Sequence, residues 1–264
     1  DLSRCLCPRG CMVPTDAALG VDGLPQSATG QTALFTGINA PAKLGRHNQA
    51  FPGPQLQKLL QQYGIMKQLR DKGYAVTSAN MYTPDYLNLV AQRKRRHSAT
   101  TLTILGAGLT LRTVDDLLRG EAVYQDITNA MLPLVGVTNV PIIEPALAGK
   151  RLVNLARQYH FTMFEYFQTD RCGHKQDWER AKEIITILDE FLQAVYNNLP
   201  EDMLVIVTSD HGNFEDFSIK THTINQVPTL VFGCHSVEVA AKIHNLIDIT
   251  PAVITFLEGN DGSA

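Results

Sequence analysis

Five side chains in the second half of the chain have the types and spacing of a metal site. Asp170 and His174 stand four apart in Thr169-Asp170-Arg171-Cys172-Gly173-His174. Asp210 and His211 are adjacent in Ser209-Asp210-His211-Gly212, and His222 follows in Thr221-His222-Thr223. Carboxylate oxygen and imidazole nitrogen form a ligand mix that Zn²⁺ and Mn²⁺ both accept. The set predicts two divalent ions, Zn or Mn. Each residue alone has a plainer reading: a hydrogen-bonded core histidine, an Asp-His-Gly turn, or a helix-capping Asp170 followed by a solvated His174. Taken together, three of the eight histidines fall in short contexts rich in Asp, Gly, Ser and Thr, which favours metal.

Far upstream, Pro25-Gln26-Ser27-Ala28-Thr29-Gly30 offers a hydroxyl among small residues. Small residues let a backbone approach a phosphate, and a helix N-terminus presents free N–H groups to an anion. Ser27 there is a candidate nucleophile, and a capping serine fits the segment equally well. A hydroxyl facing a metal pair displaces groups at phosphorus or sulfur.

The elements that must position these residues alternate helix and strand. Pro54 to Lys72 carries a helical stripe (Leu56, Leu59, Leu60, Met66, Leu69) interrupted near Gly64. Strands are expected at 74–79, 161–167, 204–208 and 229–232, with the second and third delivering Asp170 and Asp210 beyond their ends. Helices are expected at 148–159 and at 176–197, the latter through Trp178, Ala181, Ile185, Leu188, Leu192 and Val195. A last helix starts with Thr250 as its cap and Pro251 at its first position. Apolar strands alternating with helices predict an α/β fold, a largely parallel sheet covered by helices on both faces, with ligands beyond the strand ends. Residues 84–146 interrupt this grammar with a basic run (Arg93 to Arg96, then His97) and several Gly and Pro. They read as an inserted cap, leaving 1–83 and 147–264 as the core.

Bulk properties narrow the classes. A net charge of -3 gives no reason to expect nucleic acid or an anionic membrane as partner. No apolar run approaches the ~20 residues of a membrane span, and no signal peptide opens the chain. Cys5, Cys7 and Cys11 lack the paired knuckles of a zinc site and read as thiols suited to a reducing compartment, so the cytoplasm is the expected location. The chain opens on Asp1 with no apolar strand before Ser27, so it reads as a fragment lacking its first segment.

This set of motifs resembles the alkaline phosphatase superfamily, in particular its branch of cofactor-independent phosphoglycerate mutases. The similarity rests on Ser27 followed by Thr36-Gly37, on Asp170-x-x-x-His174, on Asp210-His211-Gly212 and on Thr221-His222-Thr223-Ile224-Asn225-Gln226-Val227-Pro228. It implies a three-layer α/β/α sandwich and selects Ser27 over Thr29 and Thr32 as nucleophile. It also assigns one metal to Asp170, His174 and His222, and the second to Asp210 and His211. The implied activity is that of a metal-dependent phosphatase or phosphomutase acting on a small phosphorylated metabolite through a phosphoseryl intermediate. The family's further Asp, carried on its first strand, has no match here, and the insertion is shorter than the mutases' substrate domain. A non-catalytic metal-binding or interaction protein of the same fold is the alternative. Arg46, His47, Asn80 and Arg171 are candidate phosphate contacts by proximity to the motifs.

Overall fold

The structure, a computed structural model, describes residues 5–7 and 10–260; Asp1 and the thiols of Cys5 and Cys7 lie outside it. Strands β1 (Cys5–Cys7) and β2 (Gly10–Thr15) come first, then helices α1 (Ser27–Thr36), α2 (Ala40–Leu44), α3 (Pro54–Tyr63) and α4 (Ile65–Asp71). Strand β3 (Val76–Ser78) leads to α5 (Pro84–Ala91), α6 (Ala99–Gly106), α7 (Val114–Leu118) and α8 (Pro145–Ala156). The site-bearing part runs β4 (Phe161–Met163), α9 (Gln168–Lys175), α10 (Trp178–Asn198), β5 (Leu204–Val207), β6 (Val227–Gly233), α11 (Ser236–Ala240) and α12 (Ile249–Asn260).

This is a mixed α/β fold with helices flanking small sheets. The larger sheet has the order β1-β2-β6-β5, and its pairings are antiparallel, with Val13 opposite Thr229 and Ile206 opposite Val231. Among the described strands only β3 and β4 pair in parallel, Val76 opposite Phe161, with isolated parallel bridges at Asp16–Asn245, Asn80–Val123 and Met81–Arg112. The expectation of a largely parallel sheet therefore does not describe these pairings, and the connections explain why. Residues 208–226 join β5 to β6 with no helix, so the chain turns back and pairs antiparallel. Helices separate β3 from β4, and that crossover gives the parallel pair. The N-terminal hairpin also corrects the view that no strand precedes Ser27, since β2 does.

Helices cover the larger sheet on both faces. Val13 and Val231 pack with Val239, Ile243 and Ala252 on one side. Phe232, Val205 and Val207 pack with Val153 of α8 and Phe191 and Val195 of α10 on the other. Within α10 the buried stripe is Ala181, Ile184, Phe191, Ala194 and Val195, while Trp178 and Ile185 face outward. Trp178 was expected in that stripe; its ring instead packs on Phe217, tilted by 33° at a centroid distance of 4.6 Å. Thr250 is likewise no cap: it lies inside α12 and its hydroxyl donates to the Leu34 carbonyl at 2.8 Å, pinning α12 to α1. Within 84–146, α6 packs on α3 and α4 through Leu102 and Ile104, while residues around Leu117 and Leu132 form a small core with Met81. No described helix is long and apolar enough to cross a membrane.

Candidate metal centre

Asp170 and His174 do not leave a strand directly. They lie one turn apart in α9, so a four-residue spacing puts both on one helix face. Asp210 and His211 follow β5, and the loop then turns back so that Gly212 bridges Thr223 and His222 lies beside them. Two facts hold this loop. Glu215 accepts from the Asn213 backbone N–H at 2.7 Å, from Asn225 at 3.1 Å and from the Thr223 hydroxyl. Gly173 lets α9 press on the Asn213 side chain, where any Cβ would collide.

These elements bring the predicted ligands together. Ligand atoms of Asp170, His211 and His222 lie within 4.8 Å of one another and form an Asp/His/His metal-binding cluster. His174 adjoins it: its Nε2 is 3.3 Å from Asp170 Oδ1 and 3.3 Å from His222 Nε2, which is 3.5 Å from the same Asp170 oxygen. The rings of His211 and His222 stack with centroids 3.6 Å apart. Asp210 Oδ2 is 3.6 Å from His211 Nε2.

Backbone carbonyls set the tautomers. His222 Nδ1–H donates to Pro25 O at 2.8 Å and His174 Nδ1–H donates to Lys220 O at 2.7 Å. Each neutral ring then turns a lone pair on Nε2 toward Asp170, the usual outer arrangement of a metal-bound histidine. Two imidazole lone pairs and a carboxylate oxygen converging at 3.3–3.5 Å repel one another unless a cation or a proton lies among them. The buried atoms Asp170 Oδ1 and Asp210 Oδ2 have no hydrogen-bond partner, which a bound divalent ion would satisfy.

The electrostatics differ between the two carboxylates. Burial alone would raise Asp170, but the adjoining His222, His211 and His174 imidazoles outweigh it and hold the carboxyl below its usual range. Burial pushes Asp210 up; His211 opposes this, and the nearby Asp170 charge adds to it. Burial lowers His222, and its contacts with Asp170 and the Pro25 carbonyl more than reverse that.

Ser27 is the first residue of α1, and its Oγ lies 3.0 Å from His211 Nε2. Thr29 and Thr32 point elsewhere: their hydroxyls donate to the carbonyls of Gln26 at 3.2 Å and Ala28 at 2.6 Å. The small residues of this segment serve packing. A Cβ on Gly30 would stand 2.5 Å from the Asp210 carbonyl oxygen, so glycine lets α1 lie directly on the metal-ligand loop. This is not a serine–histidine–aspartate relay, because both carboxylates approach His211 at Nε2, the same nitrogen that faces Ser27, while the buried Nδ1 has no partner.

Of the other sequence candidates, Asn80 is committed to structure: its amide bonds the Glu165 backbone in both directions at 2.8 Å. Arg46 and Arg171 are exposed, and His47 contacts the Val21 carbonyl at 3.2 Å. The basic residues Arg93 to Arg96 are exposed as well, Arg95 lying over the Tyr86 ring. Cys172, between the α9 ligands, is buried and donates to Asp177 O. Glu165 had no sequence signal. It lines the same cleft as Asp210, and burial raises its carboxyl to about 7, with Asp210 adding to the rise.

Residues 142–260 match the family model described as the Metalloenzyme superfamily. Three curated relatives are named 2,3-bisphosphoglycerate-independent phosphoglycerate mutase. That of Ehrlichia canis is 28% identical over 109 residues (38% of this chain, 22% of the relative). That of Anaplasma marginale is 29% identical over 110 residues (39% and 22%), and that of Ehrlichia ruminantium 25% over 154 (52% and 30%). The chain thus spans about a quarter of the length of the curated relatives it matches, between 22% and 30%. A solved structure, the PH0037 protein from Pyrococcus horikoshii, aligns with a TM-score of 0.48 and 16% identity over 73% of this chain and 52% of that one.

Residues 142–260 thus resemble the metalloenzyme superfamily. Within it, the similarity is to the independent phosphoglycerate mutases.

Proposed function

We propose that the protein processes phosphoesters with bound divalent metal and that Ser27 is its nucleophile. The observation that carries this is the 3.0 Å approach of Ser27 Oγ to His211 Nε2, at a helix N-terminus beside the Asp/His/His cluster. Asp170, His174 and His222 would hold one ion and Asp210 with His211 a second, Zn or Mn. Bound there, the ions supply Lewis-acid charge and favour the ionised forms of hydroxyl and water. The chain's own part is geometric. Helix α1 fixes Ser27 and offers its first N–H groups to the phosphate oxygens. Ser27 Oγ attacks phosphorus in line, the ester oxygen leaves, and a phosphoserine remains at residue 27.

The substrate class is a small phosphorylated metabolite; the names of the relatives make phosphoglycerates the first to try. The stretch 84–146 would act as a cap, and the finer fold reading, a three-layer sandwich with more parallel pairing, belongs to the same proposal. Cys172 and Cys234, both thiols, fit a reducing, cytoplasmic setting. The test is Ser27→Ala in protein loaded with Mn²⁺ or Zn²⁺ and assayed on a phosphoester panel. Turnover falls at least about a thousand-fold with metal content unchanged. Retention of most activity removes Ser27 from the role. Labelled water then separates a hydrolase, which puts solvent oxygen into phosphate, from an intramolecular mutase. Metal bound without turnover on any ester favours the non-catalytic alternative, for which the incomplete surroundings of Asp210 and His211 speak.

A further inference from the structure

The histidines around Asp170 are not equally secured. The side chains of His211 and His222 are 4% and 7% exposed, and with Asp170 they form the compact cluster. His174 stands beside that cluster with its side chain 44% exposed. Its outer nitrogen is fixed from one place: Nδ1–H donates to the Lys220 carbonyl at 2.7 Å, which leaves the Nε2 lone pair facing Asp170. An imidazole without such a partner takes both tautomers. The readiness of His174 as a ligand therefore depends on the loop that carries Lys220.

Lys220 lies in the helix-free return between β5 and β6, where residues 218–221 are exposed. The base of this loop is closed by the Asn213 amide, which donates to Thr221 O at 3.3 Å, and by the Gly212–Thr223 bridge. Its far end is tied to the corner between α9 and α10. Gln176, in left-handed backbone at φ 55°, donates from its side-chain amide to Phe217 O at 2.7 Å. The Trp178 ring packs on Phe217 at 4.6 Å, and Phe214 meets Phe217 edge-on at 5.4 Å. Phe214 and Phe217 also pack against the buried Cys172, Ala181 and Ile184. The corner itself is well tied: Asp177 accepts from the Arg180 N–H at 3.0 Å, and the Cys172 thiol donates to Asp177 O at 3.2 Å. Burial does not explain Trp178, which is 63% exposed on a helix whose buried stripe lies elsewhere. An indole so exposed adds little to the core, so its contact with Phe217 matters for where it holds the loop.

We propose that Trp178 and Gln176 are positioning residues for His174. Together they clasp Phe217 and, across Ser218 and Ile219, hold the Lys220 carbonyl against His174 Nδ1. His174 then adds its Nε2 to the donors of Asp170 and His222. With the clasp opened, the loop tip is free to leave α9 and the His174 ring to turn toward solvent. His222 stays, because Pro25 O and the Gly212–Thr223 bridge hold it independently of residues 214–220. Metal affinity should therefore weaken without being lost. That consequence rests on the metal reading of the Asp170 cluster, whereas the orientation of His174 is a property of the metal-free chain as well.

The experiment uses the 264-residue chain, first metal-free and then with Zn²⁺ alone. Nitrogen–proton correlation NMR of the imidazoles at about pH 8, where the group is ordinarily neutral, is expected to show His174 as a single Nδ1–H tautomer. In Trp178→Ala its tautomers are expected to mix while that of His222 is unchanged. Zn²⁺ affinity, read against a competing chelator, is expected to fall roughly ten-fold, the low end of what loss of an outer hydrogen-bond partner costs. Trp178→Phe keeps a ring on Phe217 and is expected to restore both readings. A double variant separates positioning from general loosening. If Trp178 acts through His174, Trp178→Ala costs no further affinity in a His174→Ala background. Equal costs in the two backgrounds overturn the inference, as does an unchanged His174 tautomer in Trp178→Ala. Gln176→Asn tolerates the left-handed backbone while withdrawing the amide, and it carries the same cycle if Trp178→Ala does not fold. Wild type that binds no Zn²⁺, yet loses its Nδ1–H tautomer in Trp178→Ala, counts against the metal reading alone and supports the clasp.

Discussion

The two halves of the metal centre are built to different standards. Around Asp170, His174 and His222, each imidazole is oriented by a backbone carbonyl and each Nε2 converges on one carboxylate oxygen. Around Asp210 and His211, no carbonyl orients the ring, since the buried His211 Nδ1 has no partner, and Asp210 is raised by burial instead of held down by imidazoles; an unpartnered carboxylate oxygen is common to both halves. One half is organised before any ion arrives. The other depends on what is added to it, an ion or a further protein group. This half also lines the cleft that Glu165 lines.

The strongest way to break the comparison is to remove a ligand from the organised half. His222→Ala takes away an Nε2 ligand and the tie to Pro25, which positions the start of α1. Structural zinc binding is worth roughly 10–16 kcal/mol over its ligands, so losing one costs about 3–4 kcal/mol, a several-hundred-fold weaker affinity. His211→Ala is expected to cost the first equivalent of metal less. Metal titration with a competing chelator checks this, and equal losses for the two variants would erase the distinction.

The next effect concerns the open half and depends on pH. Glu165 has a folded pKa near 7 against an ordinary 4.5, because burial and the Asp210 charge disfavour ionisation. A raised folded value means that the native state holds the proton more tightly. Its stabilising contribution is full below about pH 4.5, declines as pH rises toward 7 and is lost above that. Glu165→Gln removes this loss, so the metal-free variant should gain on wild type across that window, by up to roughly 3 kcal/mol. Urea unfolding at several pH values reads the difference. A constant offset from pH 4.5 to 8 would show that Glu165 does not titrate there.

Gly30→Ala tests how α1 is seated on the ligand loop. A Cβ would lie 2.5 Å from the Asp210 carbonyl oxygen, a backbone atom that cannot rotate away. The expected cost is about 1–3 kcal/mol of stability, with turnover falling further as Ser27 shifts from His211. Unchanged stability would mean that α1 moves freely against the loop.

Gly30 also shows what sequence reading reached and where it stopped. The candidate ligand types, their order and the strand before Asp210 were legible, because Asp and His in Gly-rich contexts after apolar runs leave a local signature; helix α9, which carries Asp170 and His174, was not, since a strand was expected through residue 167. The small residues after Ser27 were legible only as small; that they admit a backbone carbonyl depends on Asp210, far away in sequence. The direction of β6 was not legible either. Val227 to Gly233 reads the same in a parallel or an antiparallel pair, and only the helix-free return through 208–226 decides it. Likewise the orienting carbonyls of Pro25 and Lys220 carry no side-chain signal, and Glu165 becomes notable only once burial beside Asp210 is seen.

The finest test compares the two carboxylates directly in metal-free protein. Asp170 is held low by imidazoles, so its ionised form supports the fold above about pH 4, and that support is lost as pH falls. Asp210 is held high by burial, so its ionised form opposes the fold at neutral pH. Replacing each with Asn should therefore move stability at pH 7 in opposite directions: down for Asp170→Asn, up for Asp210→Asn. Each change is expected to be on the order of 1 kcal/mol, the first reduced by screening because the Asp170 side chain is 34% exposed. Adding Mn²⁺ should make both variants less stable than wild type, since each then lacks a ligand. The reversal for Asp210 alone would separate a residue that strains the empty fold from one that supports it. If both variants fall together without metal, the two halves are equally organised and the asymmetry is wrong.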